Sequence, residues 1–418
     1  MAQRFFDCSV SECGRPSARA VAAGCDMCSS YFCGVHMSRD AAPGVLLTAG
    51  RIKDLDDEAY NALIAAEIGR LRAQINEKAV CELASSLNNG KPCTIEYPSE
   101  VVGLGALTGL PQVSGFAVGF PVSLAEYLIR SEYATLKFLE TTAVPAPRAF
   151  SFGIPSQGTD HGIGVCFLLM SGKPWDGQGD AAKVWKGLAD IFAELERHPF
   201  TKAGSLYVES PDDLPSVSAT ASDIFVCLYP YGPFGTSAAY YTAWAEQYLV
   251  LIADCQLYPQ FPIEAYLVYR FLQDNATQLS DSEDKFFLKH VDDKGDHLMM
   301  ARIVPRREAF ALSLVSAVMR ALCDGDVSLS AKDVALSNTL RKKGARLASY
   351  TEDEKVRRFF WGLGLEPEWA CALPLANAIL QVFGVEQSWD EWKEVALKRY
   401  EGDERLKALV EARSGNKH

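Results

Sequence analysis

A run without any charged residue, Val101 to Ala125, places the strongest constraint on how this chain can fold. A run of that length can span a lipid bilayer as a helix, or it can lie inside a protein core. It contains five glycines and two prolines, Pro111 and Pro121, and both residue types destabilise the interior of a helix. The sequence therefore predicts a buried or irregular core segment here, and no membrane span.

The composition is that of a globular protein with a sizeable core. Of the 418 residues, 48% are hydrophobic and 22% are charged, a balance typical of soluble domains. This length suits one large domain or roughly two to three ordinary ones. Lys and Arg total 41 against 53 Asp and Glu, a net charge of −12. Because that charge disfavours contact with a phosphate backbone, no nucleic-acid partner is expected.

The start of the chain predicts an intracellular location. No basic segment followed by an apolar run occurs there, so we expect no secretory signal. Five of the twelve cysteines lie within the first 33 residues. In a protein without a secretory signal, such clustering favours metal binding over disulfide formation. We therefore expect a cytoplasmic protein in a reducing compartment, with the nucleus as the alternative location.

Apolar periodicity predicts the secondary structure. Asp54 to Asn76 has apolar residues at three- and four-residue steps, which is typical of an amphipathic helix, and a shorter helix is predicted for Glu77–Leu87. Gly164–Met170 is apolar throughout and predicts a buried strand. Further helices are predicted at 124–142, 183–196, 238–256, 262–277 and 388–412. Because strand-prone segments come early and helices late, the sequence indicates an α+β fold with a helical C-terminal half.

Six potential metal ligands lie close together in the first 38 residues. They are Cys8, Cys13, Cys25, Cys28, Cys33 and His36. Structural zinc sites are tetrahedral, and closely spaced ligand pairs on tight turns supply adjacent corners of the tetrahedron. A C-x2-C pair followed by C-x2-H is much harder to reach by chance than one pair alone. The sequence therefore predicts a small head, residues 1–38, that holds a structural Zn²⁺.

The segment Lys289 to Arg307, KHVDDKGDHLMMARIVPRR, has the clearest catalytic pattern in the chain. Within it His290, Asp292 and His297 follow the layout H-x-D-x4-[N/H]. Kinase-type phosphotransferases use this spacing in a catalytic loop, where the Asp orients the acceptor hydroxyl and the last residue holds a metal ion. The alternative interpretation is a solvated acidic turn between two apolar segments.

Several segments together resemble the fungal branch of the aminoglycoside phosphotransferase and choline-kinase-like family. They are RSEYATLKFLETTAVPAPRAF (130–150), FLLMSGKPWDG (167–177), FTKAGSLY (200–207), AYLVYRFL (265–272), FFLKHVDDKGDHLM (286–299) and RIVPRREAF (302–310). The resemblance implies a protein-kinase-like fold with a reduced N-lobe at 91–177 and a helical C-lobe at 178–412. A helical linker, residues 39–90, would join these lobes to the head.

The resemblance also implies roles for individual residues. Asp292 matches the base that accepts the proton of the acceptor hydroxyl, His290 matches the residue that orients the loop, and His297 falls at a metal-binding position. Glu132 matches the helix glutamate that braces a Lys or Arg on the third strand. The corresponding ligands would be ATP with Mg²⁺ and a small hydroxylated or amino-bearing acceptor. The simpler interpretation of Glu132 is a surface charge on its helix.

Two parts of the family's machinery are missing from this sequence. No Lys or Arg occurs between Lys91 and Arg130, so the strand cation is absent. Leu298–Ala301 runs directly into Arg302–Pro305, without the intervening motif whose Asp holds the principal Mg²⁺ in the family. The motifs on either side of these losses remain in register. Skipped coding segments would produce the same pattern.

These losses change the expected function, because phosphoryl transfer depends on positioned charges that neutralise the transferred group. We therefore expect a catalytically impaired kinase-like protein, a pseudokinase. The alternative is an ATP-dependent phosphotransferase that acts on a small hydroxylated or amino-bearing molecule, with Asp292 as its base.

The head resembles a cross-brace zinc finger found in front of phosphotransferase-like domains of fungal proteins. That resemblance implies one zinc ion held by Cys8, Cys13, Cys33 and His36, and leaves the C-x2-C pair as half of a second site. The alternative is a sequential pairing, in which Cys8, Cys13, Cys25 and Cys28 hold one ion. In either arrangement the head would be the contact surface for a protein partner.

Zinc content tests the head and separates the two pairings. Protein prepared without chelator should contain about one zinc ion per chain by elemental mass spectrometry. Cys8→Ser should release the zinc under both pairings, whereas Cys33→Ser should release it only under the cross-brace pairing. Cys371→Ser, far from the head in sequence, is the control and should leave the content unchanged. Less than about half an equivalent in the wild-type protein would contradict the site.

Overall fold

We describe a computed structural model of the chain. It covers residues 69–95, 122–171, 181–220, 231–254, 257–258, 260–280, 283–290, 301–310, 331–343 and 369–415, together with Asp353, Lys355, Val356, Phe359 and Leu363. The predicted head and most of the uncharged run lie outside the described residues. Within them the fold is α+β, as the sequence predicts.

The helices and strands follow one another along the chain. The helices are α1 (Glu77–Leu87), α2 (Val122–Leu139), α3 (Ala181–Leu195), α4 (Ser237–Ala253), α5 (Pro262–Asp274), α6 (Arg306–Phe310), α7 (Ala331–Lys342), α8 (Trp369–Val382), α9 (Trp389–Arg399) and α10 (Glu404–Gly415). The strands are β1 (Ala149–Gly153), β2 (Phe167–Met170), β3 (Ser205–Tyr207), β4 (Ser216–Ser218), β5 (Phe286–His290) and β6 (Ala301–Pro305). The helix predicted over Glu77–Leu87 is confirmed at both ends, and the Asn76 side chain caps it by accepting a hydrogen bond from the Ala79 amide.

The described strands form three antiparallel pairs, β1 with β2, β3 with β4, and β5 with β6. Two single bridges, Phe200 with Phe286 and Gly204 with Ile303, attach the chain before β3 to the β5–β6 pair. Gly204 has to be a glycine, because a Cβ there would lie 2.1 Å from the Ser218 carbonyl oxygen. The bridge between Gly204 and Ile303 joins the β3–β4 and β5–β6 pairs.

The expectation that strands come early and helices late is wrong for the described residues. Two of the three strand pairs lie between helices in the middle of the chain, at 205–218 and 286–305. β3 and β4 have three residues each, too few for an alternating pattern to be visible in the sequence. β5 and β6 border the charged segment 291–300, so their apolar residues were not recognised as two strands in the sequence.

The centre of the core is the helix pair α4 and α5. Tyr240, Tyr241 and Tyr266 are fully buried there. Tyr248 of α4 stacks on Tyr269 of α5 with ring centroids 4.4 Å apart. Burial raises the pKa of Tyr269 well above its usual value, so its hydroxyl stays neutral and shares a hydrogen bond of 3.1 Å with the Tyr258 hydroxyl.

The C-terminal segment predicted as one helix over 388–412 forms two helices, α9 and α10. The break comes from Asp403, whose Oδ1 accepts hydrogen bonds from the amides of Arg405 and Leu406 and so starts α10. At the other end, Ser388 and Glu391 form a capping box that starts α9. No helix among the described residues is long and apolar enough to cross a membrane.

Glu264 joins the C-terminal helices to the core. Its side chain on α5 is only 6% exposed and lies 2.6 Å from Lys393 Nζ of α9 and 3.0 Å from Arg413 Nη1 of α10. Burial acts to raise the pKa of Glu264, but the hydrogen bond from Lys393 and the two positive charges outweigh it, and the pKa lies below its usual value. The ionised carboxylate therefore stabilises the packing of three helices.

Lys393→Met should lower the free energy of unfolding by about 2 kcal/mol at pH 7, because it leaves the buried Glu264 carboxylate with only Arg413 as a partner. The stabilisation by Glu264 is present above its unfolded-state pKa of 4.5 and is lost as pH falls through its lower folded-state value. The difference from wild type should therefore narrow in acid. Urea unfolding at pH 7 and at an acidic pH measures this difference in the free energy of unfolding. Lys398→Met, which changes an exposed lysine of the same helix, is the control. An equal effect of the two variants would contradict the role of Glu264.

Candidate functional site

The structure describes two of the predicted site residues, His290 and Glu132. His290 is the last residue of β5, and its backbone pairs with Ala301, the first residue of β6. These paired strands hold the two ends of segment 291–300 side by side. Outside the described residues lie Asp292, His297, Cys8, Cys13, Cys25, Cys28, Cys33 and His36. Their predicted roles stay predictions.

Glu132 lies on α2, which packs against β1 and β3 through the buried side chains of Ile129, Tyr133 and Leu136. Its Oε1 atom is buried and accepts no hydrogen bond from any described residue. Burial raises the pKa of Glu132 to about 8, so this carboxyl group is mostly protonated at neutral pH. A buried Oε1 atom and a raised pKa do not fit the simpler interpretation of Glu132 as a surface charge on its helix.

The two cations of α2 are engaged elsewhere. Lys137 pairs with Glu140 at 3.0 Å, one turn along the helix. Arg130 lies only two residues before Glu132 but bonds Glu209 at 2.7 Å. A helix separates residues two apart by about 200° around its axis, so Arg130 and Glu132 face different neighbours. Neither cation of α2 is therefore paired with Glu132.

Arg130 belongs to a polar cluster that is separate from Glu132, and its guanidinium group is paired within that cluster. Its side chain is only 3% exposed and also donates hydrogen bonds to the Tyr207 hydroxyl, at 3.1 Å, and to Gln157. Tyr127 stacks on Tyr207 with centroids 5.0 Å apart, and burial raises the pKa of Tyr127 to about 12. Hydrogen bonds from Arg130 and Tyr207 lower the pKa of Glu209. Together these contacts fix the chain that follows β3.

Arg130 is a residue that sequence analysis did not single out. The available signal was its position: Tyr127, Arg130 and Ala134 follow the three- and four-residue steps of the apolar face of α2. A charged residue on the buried face of a helix requires a charged partner, because an unpaired buried charge is costly. The identity of that partner, Glu209, depends on tertiary packing across 79 positions and is not visible in the sequence.

A polar cleft of about 310 Å³ opens where α4, α5 and α10 meet. Its charged and polar side chains bond one another. The Tyr266 hydroxyl lies 3.0 Å from both carboxylate oxygens of Asp403, Arg405 pairs with Glu246 at 2.7 Å, and Arg270 lies 3.6 Å from Asp403. Because these groups satisfy one another, the cleft is a connection between helices and offers no unpaired charge to a ligand.

The described residues contain no group of three or more His, Cys, Asp or Glu side chains arranged to hold a metal ion. Cys81, Cys93, Cys166 and Cys371 are free thiols in this part of the chain. Burial raises the pKa of Cys166 to about 11, so that its thiol stays protonated and is a poor ligand or nucleophile.

No family model matches the chain, and neither does any curated protein or solved structure. The resemblance to the phosphotransferase family therefore depends on the sequence segments alone. The α+β character and the environment of Glu132 are properties of the structure itself.

Glu132→Gln should stabilise the protein at alkaline pH. The pKa of Glu132 is about 8 in the folded state and 4.5 in its unperturbed state, so the folded protein retains a proton that the unfolded chain has released. Stability therefore falls as pH rises from about 4.5 through 8. The neutral amide removes this loss, and we expect a gain of roughly 4 kcal/mol at pH 8.5 and little change at pH 4.5.

Urea unfolding of wild type and Glu132→Gln across this pH range measures the effect. Glu394→Gln, which neutralises an exposed carboxylate on α9, is the matched control and should show no such pH-dependent gain. A Glu132→Gln variant that is less stable than wild type at every pH would show instead that the carboxylate is ionised and paired.

Proposed function

We propose that this chain is a kinase-like protein of the aminoglycoside phosphotransferase and choline-kinase-like family that does not transfer phosphoryl groups efficiently, a pseudokinase. The observation that supports this most directly is the buried carboxyl group of Glu132, whose Oε1 has no hydrogen-bond partner among the described residues. In an active kinase the equivalent glutamate is ionised and holds the lysine or arginine that contacts the nucleotide phosphates.

The electrostatics of Glu132 agree with the loss of that cation. A carboxylate beside a lysine or arginine has a lowered pKa, whereas burial without a cation raises it. The pKa of Glu132 is raised to about 8, with burial as the cause. The 38 residues between Lys91 and Arg130 contain no basic residue that could reverse this. A neutral glutamic acid cannot brace a cation, and nucleotide phosphates would lose their positive contact.

The alternative function is phosphoryl transfer to a small hydroxylated or amino-bearing acceptor with Asp292 as the base. One observation favours it: His290 pairs with Ala301, so the two ends of the segment that contains Asp292 lie side by side on paired strands. This activity would require Mg²⁺ bound by Asp296 or His297, and Mg²⁺ prefers carboxylate and phosphate oxygen over imidazole. The pseudokinase is therefore the better proposal.

As a pseudokinase the protein would act through contacts with other proteins, and the zinc head predicted at 1–38 is the first candidate for such a contact. A cytoplasmic location, with the nucleus as the alternative, fits the clustered cysteines of the head.

Nucleotide binding tests the proposal. Because a ligand that binds only the folded state raises its apparent stability by mass action, ATP with Mg²⁺ at about 5 mM should leave the melting temperature within about 0.5 °C of that with Mg²⁺ alone. A rise of several degrees would contradict the loss of nucleotide binding.

Phosphotransferase activity is then decided by Asp292→Asn. If wild type consumes ATP in the presence of an acceptor and Asp292→Asn lowers that rate by about a hundredfold or more, the enzyme is the correct function. An equal residual rate in both proteins would exclude Asp292 as a base.

A further inference from the structure

Leu214, in the loop between β3 and β4, is 89% exposed. Among the described residues a few other large apolar side chains are exposed, but Val395, the next, reaches only 52%. Single exposed apolar residues are common on protein surfaces and require no explanation by themselves. Leu214 differs because the loop that presents it is fixed by specific contacts.

The two ends of this loop are anchored in the protein. Tyr207 pairs with Ser216 across the β3–β4 ladder, which closes the loop at its base. Glu209 accepts a salt bridge from the buried Arg130 at 2.7 Å and a hydrogen bond from the Tyr207 hydroxyl at 2.8 Å. A charge pair with one partner buried is a strong restraint, because breaking it leaves a desolvated charge.

The tip of the loop is fixed as well. The Tyr133 hydroxyl of α2 donates a hydrogen bond of 3.2 Å to the Pro211 carbonyl oxygen. The Ser210 amide donates to the Asp213 carboxylate at 2.8 Å, and the Asp213 amide donates to the Ser210 carbonyl oxygen at 3.1 Å. These two hydrogen bonds close a tight turn immediately before Leu214.

Two prolines flank the exposed leucine. Pro211 and Pro215 have fixed φ angles, and a residue that precedes a proline is restricted to extended conformations. Leu214 is therefore held in an extended conformation and directed into solvent. A side chain presented in this way loses little conformational entropy when it is bound, which favours its use in recognition.

The charges around Leu214 are negative. Glu209, Asp212 and Asp213 are all exposed, and Asp212 is not used to close the turn. No Lys or Arg occurs in the chain between Lys202 and Arg270. A surface that covers this loop therefore gains by presenting positive charge opposite it.

We infer that the β3–β4 loop is a docking site for a protein partner that has an apolar pocket for Leu214, with Lys or Arg side chains at the edge of the pocket facing Asp212. One loop buries much less surface than a standard interface, so the complex is transient. The inference depends on the contacts of the loop alone and is independent of the kinase-like assignment.

Charge also disfavours two other binding partners for this loop, a membrane and a second copy of this chain. A membrane with anionic lipids would repel Asp212 and Asp213. A second copy of this chain has a net charge of −12 and offers no long-range attraction. A basic partner surface complements the charge of the loop.

The experiment compares three full-length baits, wild type, Leu214→Ser and Val395→Ser, in quantitative affinity purification from extract of cells that express the protein. Each protein that is lost with Leu214→Ser alone is produced in pure form and titrated against the three baits. We expect Leu214→Ser to weaken binding about tenfold or more, since a leucine loses its pocket. The control Val395→Ser should bind as wild type does.

Asp212→Asn tests the charge. It should weaken binding mainly at low salt, and the salt dependence of the dissociation constant should be smaller than in wild type. Because Leu214 and Asp212 are exposed, both variants should melt within about 1 °C of wild type, which separates lost docking from lost folding.

Several results would overturn the inference. These are the absence of any protein lost selectively with Leu214→Ser, a purified candidate that binds wild type and Leu214→Ser equally, and a salt dependence unchanged by Asp212→Asn. Dimerisation in sedimentation that depends on Leu214 would assign the loop to a second copy instead. Binding to phosphatidylserine vesicles that depends on Leu214 would assign it to a membrane. A melting temperature raised by ATP would contradict the loss of nucleotide binding and leave the docking site unaffected.

Discussion

The packing of α4 against α5 supports most of the described structure. Both helices are lined with aromatic side chains, and the stacked rings of Tyr248 and Tyr269 join them across their interface. Several C-terminal connections are made to this pair: Glu264 of α5 holds α9 and α10, and Tyr266 of α5 bonds Asp403, the residue that starts α10. Stacked and tilted aromatic rings bury large areas with few rotatable bonds, so they supply a rigid base.

Two acidic residues show how the same side chain can serve opposite purposes. Glu264 is buried with two cations and remains ionised, so it stabilises the fold. Glu132 has a buried oxygen without a described partner, and its pKa is raised instead. Unpaired buried groups are costly and concentrate at functional sites or at sites that have lost a function. In the proposed pseudokinase Glu132 would be the second case, because the cation that it would brace is missing from the sequence.

Much of the helical structure was predictable, because three- and four-residue apolar steps over long segments are a strong pattern. Glu77–Leu87 agrees at both ends, and the segments around 238–256 and 262–277 correspond to α4 and α5. The strands were harder to predict. Three-residue strands such as Ser205–Tyr207 are too short to show alternation, and their pairing depends on distant backbone, as in the bridge between Gly204 and Ile303. The break at Asp403 was missed although Glu401–Arg405 contains no apolar residue and Gly402–Asp403 is a helix-stop and N-cap signal.

The sequence by itself determined the α+β composition, the helical segments and the absence of a basic residue between Lys91 and Arg130. These depend on local propensity and on residue identity, which need no knowledge of distant contacts. Only the tertiary structure decided which charges are buried and which are paired: Arg130 with Glu209, Glu132 with no described partner, and Leu214 in solvent on a fixed loop. Burial and pairing arise when segments far apart in the chain come together, and desolvation then sets the charge state of each group.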